Sequence, residues 1–270
     1  MGGELQRVER NLKKAATMAS NRALGVLKLF TFERPTWTAD EIGAAMGVSP
    51  ATAYRFIGAL ESAGLIASMR KGVYALGPAI IQLDRQIQLT DPLLTSAAPV
   101  MDDLRRYGPD GSAVLLCRSY EDTVLCMRQV FTAGPHPLVS YERGRPMPLF
   151  AGATSKVILA NQPARWLGAL YEAHVSDAAA AALGATFDEF RASLAAIRKT
   201  GYAITTGEVD AGCIGIAAPI LDEDKHAIGS LSYVVSDDTD MRACQRLAAI
   251  VKSGAQEIEA SLGADMSATS

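Results

Sequence analysis

The sequence predicts an α+β chain: a small winged helix-turn-helix at the N-terminus, a helical linker, and a larger C-terminal α/β domain built on an antiparallel sheet. Three observations predict it. Residues 38–63 hold two helix starts separated by a glycine turn, and residues 65–76 read as two short strands around a basic tip. Beyond residue 108, short apolar strands alternate with helical periods, and a long helix closes the chain.

Bulk properties set the limits. The chain has 270 residues, 49% hydrophobic and 20% charged, which supports a packed core. At roughly 100–200 residues per domain, two ordinary domains fit. The net charge of -3 hides a split: residues 1–80 carry ten Lys/Arg against six acids, and residues 81–270 carry sixteen against twenty-three. A basic front and an acidic rear suit a chain whose front end meets a polyanion. The four cysteines, Cys117, Cys126, Cys213 and Cys244, form no C-x-x-C and no zinc spacing, so reduced thiols in a cytoplasmic protein are expected, with neither metal nor cofactor. The polar start lacks the apolar stretch of a signal peptide, and no run of eighteen apolar residues suggests a membrane span.

Residues 1–19 read as a polar arm, and residues 20–78 as the winged domain. Over 21–32, Ala23, Val26, Leu27 and Phe30 share a helical face that Pro35 ends. Thr38 and Glu41 form a capping box, Ile42, Ala45 and Met46 make a short apolar face, and Gly47 suits a tight turn. Ser49 and Pro50 restart a helix over about 50–63, stopped by Gly64. It buries Ala53, Ile57, Leu60 and Phe56 and turns Ala51, Thr52, Tyr54 and Arg55 outward. Such a face suits entry into a major groove about 12 Å wide. Strands at 65–67 and 73–76 flank Met69-Arg70-Lys71-Gly72, a wing with two cations at its tip. A capped helix pair alone is more often plain hairpin packing; the basic wing turns the balance toward DNA. The expected DNA contacts are Thr38, Ser49, Ala51, Thr52, Tyr54, Arg55, Arg70 and Lys71.

These residues resemble the N-terminal domain of IclR-type transcriptional regulators. The family's pattern S-x-x-T-x-Y-R-x-[LF]-x-x-L, then Y-x-L-G at the end of the wing, is met by Ser49, Thr52, Tyr54, Arg55 and Leu60, then Tyr74, Leu76 and Gly77, with Phe56 one place before the [LF] position.

Residues 79–107 read as a largely helical linker punctuated by Pro92 and Pro99 and ended by 108–111. Residues 108–264 form the C-terminal domain. Strands at 112–120 and 123–130 flank a two-residue turn that sets Cys117 opposite Cys126. Two thiols packed as small apolar groups outweigh a disulfide there. A third strand is expected at 136–143. Ala153-Thr154-Ser155-Lys156 opens a helix whose free N–H groups favour a carboxylate, although an ordinary capped helix has the same start. Further elements are a helix at 187–200 closed by Gly201, strands at 202–208, 214–221 and 227–235 with a turn at 222–225, and a last helix over 239–262.

The resemblance continues through this half. Gly144 to Leu149, Lys156 and Leu159-Ala160 match the family's G-x-x-x-P-L-H-x-T-A-x-G-K-x-x-L-A, with Phe150 in place of His and Ser155 in place of Gly. Arg198, Gly201-Tyr202, Glu208, Gly212 and Ile216 to Ile220 match its R-x-x-G-Y…E-x-x-x-G-x-x-x-I-A-A-P-V. The resemblance implies a GAF-like effector domain with a pocket between the sheet and the loop entering the helix at Ala153. The N–H groups of Ala153 and Thr154 would bind an anion. Thr205, Cys213, Gly215, Ser232 and Val234 would line the strand side, and Met147 and Phe150 the apolar walls. Core packing is an equal expectation for each strand residue, and Glu208 and Gly212 read as structural.

The expectation is a regulator of catabolic genes that binds a double-stranded DNA operator as a homodimer or dimer of dimers, and answers to a small carboxylate, aromatic acids included. Two alternatives stand beside it: a DNA-binding protein whose C-terminal domain only oligomerises, and an enzyme using Cys213 with His226 or His174. With three histidines and no G-x-S-x-G, P-loop or dinucleotide fingerprint, the enzyme is the weakest.

Overall fold

The computed structural model describes residues 21–135, 139–174, 176 and 182–268, with side chains to residue 264. The arm at 1–19 and residues 136–138 of the expected third strand lie outside them. The chain forms two compact units, divided between Leu89 and Thr90.

In the first unit, residues 21–25 are helical and run into a 3-10 turn at Val26–Leu29. Then come β1 (Trp37–Thr38), α1 (Ala39–Met46), α2 (Pro50–Ser62), β2 (Ile66–Arg70) and β3 (Val73–Leu76). Local chemistry sets each helix boundary. Thr38 accepts the N–H of Glu41 at 3.3 Å, and Glu41 Oε2 accepts the N–H of Thr38 at 2.8 Å. Gly47, at φ +59°, ends α1 in a conformation that other residues adopt reluctantly. Ser49 caps α2, with Pro50 at its first position. Val26, Ala39, Ile42, Phe56, Ile57, Leu60 and Ile66 form the core. The sheet order is β1-β3-β2, with Trp37 opposite Tyr74. Strand β1 is too short for any periodicity to reveal.

The cap gives a first prediction. Thr38→Ala destabilises this unit by about 1 kcal/mol, the usual loss for an N-cap hydroxyl, measured by thermal melting; an unchanged midpoint contradicts it. Hydrogen bonds from the Thr38 backbone and hydroxyl, with the Arg34 charge, hold the Glu41 carboxyl below the ordinary range. A carboxyl depressed in the folded state stabilises above its unfolded pKa. This contribution therefore fades as pH falls through the acid range.

Helix α3 (Pro78–Thr90) follows and buries none of its residues. Helix α4 (Pro92–Leu104) was expected as linker but belongs to the core of the second unit, where Leu93, Leu94, Ala97, Val100, Met101 and Leu104 are buried. It continues through Pro99. The packed apolar face outweighs the one backbone donor that proline removes.

The second unit is a six-stranded antiparallel sheet in the order β6-β5-β4-β9-β8-β7. Its strands are β4 (Ala113–Tyr120), β5 (Thr123–Phe131), β6 (Pro146–Pro148), β7 (Ala203–Thr206), β8 (Cys213–Leu221) and β9 (Ala227–Ser236). Its helices are α5 (Ala153–Ala160), α6 (Ala164–His174), α7 (Phe187–Thr200) and α8 (Met241–Ala268). The two-residue period of β4 sends Val114 and Leu116 into the layer with α4 and α8, and Ala113, Leu115 and Cys117 into the layer with α5, α6 and α7.

Cys117 does pair with Cys126, and both thiols are free and buried. The third strand is displaced. Among described residues, 139–143 contribute only a bridge from Arg143 to Cys126, and Pro146–Pro148 pairs with β5 instead. Helix α6 was not anticipated; its buried stripe is only Leu167 and Leu170.

Candidate functional site

Helix α2 sorts its residues by face. Ala53, Phe56, Ile57 and Leu60 are buried, while Ala51, Tyr54 and Arg55 are exposed, Tyr54 by 55%. Thr52 is half-buried, its hydroxyl 3.0 Å from that of Ser49. Thr38 and Ser49 are thus occupied in starting helices, while Tyr54 and Arg55 project. The Arg55 guanidinium lies 5.9 Å from the Phe56 ring. In the wing, Arg70 ends β2 beyond a bulge, and Lys71-Gly72 forms the turn, with Gly72 at φ +74°. Both cations are exposed. Arg34, not anticipated, stacks 3.3 Å over the Trp37 ring and pairs with Glu41 at 2.6 Å, bracing the start of α1.

The second unit encloses a cavity where α5 meets β7, β8 and β9. Tyr141, Gly152, Ala153, Thr154, Thr205, Gly207, Glu208, Val209, Asp210, Cys213, Gly215 and Val234 line it. The sequence anticipated Ala153, Thr154, Thr205, Cys213, Gly215 and Val234. Ser232 lies behind the wall, accepting a hydrogen bond from the Thr154 hydroxyl at 3.1 Å. Met147 and Phe150 lie in the apolar core rather than the lining; Phe150 packs against His174 and Phe190, with ring centroids 5.2 and 6.4 Å away.

The lining that the sequence did not assign includes three polar side chains, those of Tyr141, Glu208 and Asp210. Gly152 precedes α5 at φ +83°, and a Cβ there would come within 2.8 Å of Val209. Its N–H donates to Glu208 Oε2 at 2.9 Å, and the N–H of Ala153 donates to Thr205 Oγ1 at 2.9 Å. Lys156 Nζ reaches Glu208 Oε1 at 2.6 Å. The Ser140 N–H donates to Asp210 at 2.9 Å, and the Ser140 hydroxyl bonds the same carboxylate. Tyr141 OH lies 3.2 Å from Ser155 Oγ, which donates to the Pro148 carbonyl. Burial, then the nearby Cys117, raises the Tyr141 phenol. Burial, then Asp210 and Asp237, raises the Cys213 thiol above its ordinary range. That keeps the sulfur protonated and makes it a poor nucleophile at neutral pH.

Among described residues, no helix is long and apolar enough to cross a membrane, and no group of three His, Cys, Asp or Glu could hold a metal ion.

Residues 88–260 match the family described as bacterial transcriptional regulator IclR, C-terminal, and residues 21–68 match the IclR helix-turn-helix domain. The chain belongs to the IclR family of transcriptional regulators. It is a regulator and not an enzyme, as its relatives are. The HTH-type transcriptional regulator XynR of Escherichia coli K12 is 24% identical over 213 residues, covering 78% of this chain and 83% of that protein. The glycerol operon regulatory protein of Streptomyces coelicolor is 27% identical over 252 residues, covering 90% and 95%. An IclR regulator from Alicyclobacillus acidocaldarius shares the fold at a TM-score of 0.74 and 20% identity, covering 90% of this chain and 98% of its own. An IclR homolog from Microbacterium hydrocarbonoxydans, solved with 4-hydroxybenzoate, gives 0.70 and 22%, covering 91% and 99%.

Proposed function

We propose that this regulator acts in the cytoplasm as a homodimer or dimer of dimers, binds a double-stranded operator through α2 and the wing, and controls catabolic genes in response to a small organic acid held in the cavity beside α5. The projection of Tyr54 and Arg55 from a helix whose opposite face is sealed in the core carries the operator half of this reading. The lined cavity at a helix start, together with the acid bound by the Microbacterium homolog, supports the effector half. Paired recognition helices of a symmetric dimer would meet half-sites about one helical turn apart. The acid acts only by binding two conformations unequally.

Operator binding at increasing salt tests the reading. Affinity falls steeply with salt as displaced counterions are released. Arg70→Ala and Lys71→Ala each reduce the slope by roughly one and weaken all duplexes alike. A flat salt response, or slopes unchanged in both variants, removes the wing from the interface. Operator affinity that no carboxylate alters favours the alternative in which the second unit only oligomerises.

A further inference from the structure

We propose that Glu208 is a built-in occupant of the effector's anion site, and that the regulator admits a monocarboxylate by exchanging it for the Glu208 side chain. The proposal rests on the effector reading above and deepens it to a ligand class and a gate.

Three observations carry it. Glu208 takes what a bound carboxylate would seek: the Gly152 N–H before α5 at 2.9 Å and the Lys156 ammonium at 2.6 Å. With Glu208 seated, the cavity is small. Its volume is about 30 Å³. That holds about two waters, whereas organic ligands occupy pockets of about 300–1,000 Å³. The Glu208 side chain, 34% exposed, can turn toward solvent. The wall that carries it runs from Gly207 to Gly212 and is held at its ends, where the Gly207 N–H donates to the Cys213 carbonyl and the Asp237 N–H to the Gly212 carbonyl. Glu208, Val209 and Asp210 all lie on it and all line the cavity.

The exchange selects the ligand. When Glu208 swings out, Lys156, whose side chain is only 13% exposed, loses its carboxylate. A neutral ligand leaves that ammonium unpaired in a poorly hydrated place. A carboxylate restores the pair and the Gly152 hydrogen bond. A second carboxylate on the ligand meets Asp210, already satisfied by Ser140. One carboxylate on a compact body is the matching charge.

Cys213 lines the cavity and reports the exchange without knowledge of the effector. The full-length protein is alkylated with iodoacetate or with its neutral counterpart iodoacetamide, and modification of Cys213 is followed by mass spectrometry. Both reagents need the same thiolate, so their rate ratio cancels the thiol's ionisation. In Glu208→Gln the iodoacetate-to-iodoacetamide ratio rises about tenfold, the equivalent of one freed charge-assisted hydrogen bond. Asp237→Asn removes a charge near Cys213 without freeing Lys156, and raises the ratio far less. Equal changes in the two variants, equal acceleration of both reagents in Glu208→Gln, or no alkylation of Cys213 there overturns the proposal. Cys117, Cys126 and Cys244 are at most 1% exposed and become labelled if a variant unfolds. In that event Lys156→Met decides: iodoacetamide accelerates at Cys213 and iodoacetate does not, while an unchanged iodoacetamide rate overturns the proposal. None of these readouts involves DNA. Operator affinity that no carboxylate alters sinks the effector reading alone, and an unshifted ratio sinks the exchange alone.

Discussion

Replacing Phe190 with alanine destabilises the second unit by about 3–5 kcal/mol, the range for deleting a buried aromatic ring and leaving its cavity. Phe190 is fully buried on α7. Its ring meets Tyr171 at 5.2 Å, Phe187 at 6.3 Å and Phe150 at 6.4 Å, tying α6 and α7 to the segment that enters α5. Such aromatic pairs add to plain burial. No polar group of Phe190 needs a partner, so the loss comes from burial, packing and the empty space. Denaturant unfolding of the full chain measures it. Phe190→Leu, which refills much of the volume, loses clearly less. A loss near 1 kcal/mol for the alanine variant means that the helix layer under the cavity does not pack as described.

Arg55→Ala weakens operator binding by about 1–3 kcal/mol, roughly a tenfold to hundredfold loss, and relaxes the preference at one base position in each half-site. Arg55 is exposed at the second turn of α2, one residue before buried Phe56 and next to exposed Tyr54. A guanidinium placed there can take both acceptors of a guanine edge. Because its side chain contributes little to the core, the variant folds as wild type does. Loss of affinity is then a contact effect, measured by fluorescence anisotropy on wild-type and substituted duplexes. A uniform loss across all sequences reassigns Arg55 to phosphate. Unchanged affinity removes it from the interface.

Much of the first unit could be read from the sequence because its boundaries are set by local chemistry. The Thr38–Glu41 box, Gly47 and the Ser49-Pro50 start act within four residues of chain, and each forms as the spacing predicts. The paired cysteines of β4 and β5 follow from turn length alone. What the sequence concealed depends on distant partners. Strand β1 has two residues and exists because Tyr74 and Val73 lie beside it. Helix α4 looks like a proline-broken linker until the sheet supplies a surface for its apolar face. The cavity divides along the same line. Thr205 and Gly215 fall on strands that the sequence marks, and Cys213 stands at the start of one. Glu208 stands in a loop, 56 residues from Gly152 and 52 from Lys156. Its place among the family motifs marked it as structural, and only the fold brings it to the start of α5.

The most direct test of the account is selection of duplexes by the full-length regulator from a random double-stranded pool, run in parallel with Arg55→Ala. Wild type is expected to enrich one sequence with two related half-sites about one helical turn apart, and the variant to lose the preference at one position in each half-site. No enrichment by wild type, or the same sequence enriched unchanged by the variant, contradicts the assignment of α2 as the element that reads DNA.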